Sequence, residues 1–78
     1  MMKIRKLPKV VDAKIASFPH RIDTLHGKVF VNEGDLIVRD GDDVWPLAVR
    51  RALETYEPAD EEAAAWFAKA RKEAESGI

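Results

Sequence analysis

The chain has no cysteine among its 78 residues. That excludes disulfides and thiolate metal sites, and it fits a reducing cytosol. Histidine is nearly as scarce. His20 and His26 are the only two, and they do not share the i, i+4 spacing of a zinc-binding helix. No GxGxxG or GxxxxGK[ST] loop occurs, so there is no phosphate cradle to name. The hydroxyl nucleophile candidates are Ser17, Thr24, Thr55, Ser76 and Tyr56, and none sits in a nucleophile elbow. No apolar run approaches a membrane span of about 18 residues. The N-terminal stretch lacks the apolar core of a signal peptide, because Lys9, Asp12 and Lys14 interrupt it. These absences predict a protein without cofactor or metal, outside the membrane and not an enzyme.

What is present describes one small domain. A chain of this size buries only about 60% of its unfolded surface, so a homodimer is a reasonable extra source of stability. Charge is unevenly spread. Residues 1–28 hold seven Lys or Arg against two Asp or Glu, and residues 29–62 hold three against ten. Either the basic start lies across the acidic middle in the fold, or the split marks a partner surface.

Residues 9–15, KVVDAKI, alternate with the period of a half-buried strand. Residues 17–20 read as a turn, and residues 21–25 as a short extended segment. Residues 28–32 and 36–39 follow as strands, the second apolar enough to be buried on both faces. Between them lies an Asn-Glu-Gly-Asp turn that needs Gly34. Asp40-Gly41-Asp42 is a strong hairpin signal leading into residues 43–45. Asp35, Asp40, Asp42 and Asp43 lack the ligand pattern of a calcium loop and read as a solvated turn.

Pro46 is expected to open a helix over residues 47–56, with Leu47, Val49, Ala52, Leu53 and Tyr56 on its apolar stripe and Pro58 ending it. A second helix starts after Asp60, with Glu61 and Glu62 in its first turn and Gly77 as its stop. Ala63, Phe67, Ala70 and Ala74 form one face of it, bordered by Trp66. The predicted fold class is α+β: a small, twisted, mostly antiparallel sheet of four or five strands, one short helix and a longer C-terminal helix. It is a single domain over residues 1–78, with the sheet and short helix in 1–58 and the last helix in 59–77. The expected core comprises Val11, Ala13, Ile15, Ile22, Leu25, Val29, Val31, Ile37, Val38, Trp45, Leu47, Val49, Leu53, Tyr56 and Phe67.

The stretches RKLPKVVDA (residues 5–13), DTLHG (23–27), EGDLIVRDGDDVWP (33–46) and ALETYEP (52–58) carry a family resemblance. Together they resemble a group of small proteins of tailed bacteriophages and prophages. That group reads RKKPVVVEA, then TLEG, then PGDWIV.G..GE.YPV.P..FE.TYE. The chain departs from the pattern at Leu36, where an aromatic usually follows Gly-Asp, and at Ala52, where a Phe usually sits. The last helix lies outside the resemblance. The resemblance implies phage or prophage origin, action in the bacterial cytoplasm, and work by binding.

Three function classes follow. The first is a non-enzymatic accessory protein that binds a host protein, as an anti-CRISPR-like or other anti-defence inhibitor. Its contacts are Asp40, Asp42 and Asp43 at the hairpin end, with Trp66 and Phe67 as aromatic anchors. The second is an oligomeric binder or sponge for a nucleotide-like anion, through Arg39, Arg50 and Arg51. The third is weak nucleic-acid binding through Lys3, Arg5, Lys6, Lys9 and Lys14. The shortage of interleaved aromatics and a pI near 6.1 disfavour it.

Overall fold

The protein is described here by a computed structural model covering residues 1–76. Seven strands, all paired antiparallel, and two helices build an α+β fold in the class the sequence predicts. The strands are β1 (Met2–Lys6), β2 (Lys9–Ile15), β3 (His20–Thr24), β4 (Gly27–Val31), β5 (Leu36–Asp40), β6 (Asp43–Leu47) and β7 (Glu57–Pro58). Helix α1 (Val49–Thr55) lies between β6 and β7, and α2 (Glu61–Ser76) follows β7. Five strands form one sheet in the order β6-β5-β2-β1-β7, while β3 and β4 form a separate hairpin. The expected stop at Gly77 lies outside the described residues.

The register explains the main core. Ala13 pairs with Met2 on one side and Val38 on the other. Val11 pairs with Ile4, and Val38 with Trp45. Cross-strand partners share a face, so these side chains form one apolar layer. Helix α2 lies on it through Ala63 and Phe67, and α1 adds Ala52. The alanines bring the helix close, and the Phe67 ring fills the gap. Trp66 meets Phe67 edge to face, with centroids 5.1 Å apart.

The opposite face of β5 and β6 is covered by the β3–β4 hairpin. Ile22 and Val31 pack there with Ala16, Ile37 and Val44. Strand β5 therefore serves two cores, Leu36 and Val38 in one and Ile37 in the other, which accounts for its continuous apolarity. Gly34 (φ 89°) and Gly41 (φ 62°) occupy left-handed backbone in the turns on either side of it. Gly41 alone of the two hairpin-loop residues has positive φ, as in a type II′ turn.

Several expectations are corrected. Strand β1 adds to the strands expected from the sequence: Met2 and Ile4 alternate with Lys3 and Arg5, and both apolar residues are buried. Pro46 does not open a helix. It sits in β6 opposite Ile37, and Leu47 is the last residue of that strand, buried beside Leu36. A proline is tolerated there because β6 is an edge strand, whose outer N–H groups need no ladder partner. Helix α1 starts two residues later, from an Ala48 cap with no side-chain hydrogen bond. Ile15 and Leu25 are exposed, by 50% and 68%, because one ends β2 and the other lies in the β3–β4 turn. Ala74 is exposed as well, despite its place on the α2 stripe.

Asp60 behaves as a cap and more. Its Oδ1 accepts from the Ala63 N–H at 2.8 Å, and its Oδ2 accepts from the Lys3 N–H at 2.9 Å. One carboxylate thus starts α2 and ties it to β1. Asp60→Ala should cost about 1–2 kcal/mol for the cap alone, and more once the Lys3 N–H loses its acceptor. Urea melts would read this, and an unchanged midpoint would remove the double role.

Candidate partner-binding site

The β5–β6 hairpin delivers the three predicted aspartates to one end of the sheet. They are not equivalent. Asp40 is paired with the Lys9 ammonium from β2, so part of the basic start does lie against the acidic hairpin. Asp42 and Asp43 have no cationic partner among the described residues. Asp43 also lines a cleft of about 400 Å³ between β6 and the tip of the β3–β4 hairpin.

That cleft is built by local rules. Thr24 Oγ1 donates to the Gly27 carbonyl at 2.7 Å and accepts from the His26 N–H at 3.1 Å, which pins the hairpin tip. Val29 faces β6 from β4, and Val44, Trp45 and Pro46 form the other wall. The result is a mostly apolar cleft with one carboxylate, Asp43, in its lining. The sequence marked Asp43 but not the cleft. Trp45 and His26 were each visible as residues, and their meeting depends on how the hairpin docks.

The aromatic anchors separate. Phe67 is 2% exposed and belongs to the core. Trp66 is half-buried and lines a groove of about 260 Å³ with Ile15, Val49 and Ala70, rimmed by Lys69 and Glu73. The exposed Ile15 is part of the same groove, so its exposure extends the apolar surface that Trp66 offers.

The three arginines proposed for an anion are not brought together within one chain. Arg39 lies on the β5 face away from the helices, as the alternation with buried Val38 requires. Arg50 and Arg51 are exposed on α1, and Arg50 is paired with Glu54 at 3.1 Å. Two of the three basic residues of β1 are also engaged. Lys3 meets Asp12 at 2.6 Å, and Arg5 meets Glu57 at 2.7 Å. The Lys3 ammonium hydrogen-bonds Asp12 and holds its carboxyl below the ordinary range, while Asp12 raises Lys3 in turn.

No helix among the described residues is long and apolar enough to cross a membrane. Compared with known proteins, the chain matches no family model, no curated sequence and no solved structure.

Proposed function

We propose that this is a non-catalytic accessory protein that acts by binding a host protein, with the β5–β6 hairpin end as its contact. The observation that carries the reading is the pairing of two uncompensated carboxylates, Asp42 and Asp43, with an adjoining apolar cleft of about 400 Å³. Such a site suits a basic side chain of the partner. The alkyl stem of an arginine or lysine would lie along Val44, Trp45 and Pro46, and its head would reach Asp43. The indole of Trp45 adds a cation–π face.

The phage and prophage resemblance supports placing that host protein in the bacterial cytoplasm, as a defence or regulatory target. The Trp66 groove is a second apolar surface, suited to enlarging the contact or to a homodimer. The chemistry-bearing residues are spread in a way that suits binding. His20 begins β3 and His26 lies beyond its other end.

The test is capture from bacterial lysate followed by affinity measurement on the retained protein. Asp42→Lys combined with Asp43→Lys should weaken binding by about tenfold or more, with the loss largest at low salt. Both side chains are at least partly exposed, so melting should change little. Equal affinity for variant and wild type would sink the hairpin as the contact.

A further inference from the structure

On the sheet face away from the helices, a second cleft of about 280 Å³ opens between β3 and strands β2, β5 and β6. Its wall is apolar through Ile22, Ile37 and Val44, and Lys14, Arg39 and His20 also line it. We propose that this cleft binds a small anion carried on a planar apolar body, an aromatic phosphate or carboxylate, with Arg39 and Lys14 holding the anionic group.

The charge balance on this face selects that ligand. Lys3 is neutralised by Asp12 and Arg5 by Glu57, through close ion pairs. Lys14 and Arg39 have no ion pair among the described residues. Asp12 is the one carboxylate lining the cleft; it hydrogen-bonds Lys3 and stands opposite Arg39 in the β2–β5 ladder, and both cations hold its carboxyl below the ordinary range. Set against Lys3, Lys14 and Arg39, this one carboxylate leaves a local excess of positive charge, and not a strip along the sheet. A nucleic-acid strand needs a track of cations and stacked aromatics. A single anionic group needs what is present: a guanidinium fork, an ammonium in the same cleft, and a concave wall that concentrates their field.

The apolar wall and the nearby rings select the body. The Phe18 and His20 rings stack with centroids 4.5 Å apart, and Phe18 is largely exposed. His20 Nδ1 lies 2.8 Å from the Phe18 carbonyl oxygen, which can only accept, so Nδ1 carries the proton. Nε2 is then an acceptor that offers no hydrogen bond to the anionic group, so His20 contributes its ring face to the body of the ligand. The volume is near the lower limit of about 300 Å³ for small-molecule sites, which suits one ring system rather than a polymer.

The test is an amide-resolved NMR titration of the intact protein. The probes are phenyl phosphate, benzoate, inorganic phosphate, benzyl alcohol and a short oligothymidylate. Phenyl phosphate, benzoate or both should shift Lys14, Ile22, Ile37 and Val44 and saturate at about millimolar concentration. The two arms distinguish a phosphate from a carboxylate. Arg39→Ala and Lys14→Ala should each weaken the bound probe by about tenfold, and Arg39→Lys should recover part of the loss. Both residues are exposed, so each variant should keep the wild-type melting temperature. Three outcomes would overturn the proposal: no shift from either aromatic anion, equal binding of benzyl alcohol, or tighter binding of the oligonucleotide along β1.

Discussion

Phe67→Ala is expected to destabilise the protein by about 3–5 kcal/mol, the usual cost of removing a buried aromatic ring. The ring is 2% exposed and is the largest buried side chain that α2 contributes to the main core. The same core holds Met2, Leu36 and Leu47 beside alanines and β-branched residues, and how far these relax sets where in that range the cost falls. Small domains are stable by only about 5 kcal/mol at the low end, so the variant should be largely unfolded at 37 °C. Trp66→Ala provides the internal comparison. Trp66 is half-buried and faces a groove, so its loss should cost clearly less than that of Phe67. Urea denaturation followed by far-ultraviolet circular dichroism would rank the two. Equal midpoints for both variants would mean that α2 is not docked through Phe67.

Ile4→Ala is expected to cost about 2–5 kcal/mol. Ile4 is 0% exposed, pairs with Val11 in the β1–β2 ladder, and lies in the same core as Phe67. Val10 is the control: it pairs with Arg5 on the other face and is 47% exposed. Val10→Ala should fall within about 0.5 kcal/mol of wild type. A small effect of Ile4→Ala would detach β1 from the sheet. It would also remove the anchor that Asp60 finds on the Lys3 N–H.

These two positions show where the sequence was legible. Phe67 sits on a 3.6-residue stripe with Ala63 and Ala70, and that period survives in the structure. The stripe reads as an apolar face from spacing alone. Ile4 belongs to a short alternation, MKIR, whose polar positions are Lys3 and Arg5. Four residues are too short a run for period 2 to mark a strand by itself, and the basic side chains mask it. In the fold those cations are the outward half of a strand, each neutralised by an acid from elsewhere in the chain.

The turns were legible for a different reason. Gly34 and Gly41 adopt backbone that other residues rarely adopt, so their positions announce the reversals before and after β5. Proline was less informative. Its ring fits both the first turn of a helix and an outer edge strand, and Pro46 takes the second. Nothing local distinguishes the two, because the choice depends on whether a neighbouring strand needs that N–H.

The candidate sites divide in the same way. That Asp40, Asp42 and Asp43 share a hairpin end follows from Asp-Gly between apolar runs, which is a local rule. That Asp40 is neutralised by Lys9 while Asp42 and Asp43 are left uncompensated follows from β2 lying beside β5. Arg39 illustrates the limit most clearly. The sequence places it with Arg50 and Arg51 as one of three anion contacts, yet the alternation of β5 turns it to the face that Lys14 shares. The sequence by itself determined the α+β class, the hairpin at Gly41, the second helix and its Asp60 cap, because each depends on neighbours within a few residues. Only the tertiary structure decided which charges cancel, which aromatic is core and which lines a groove, and where two clefts open. Those outcomes depend on pairings between residues far apart in the chain, and no local period records them.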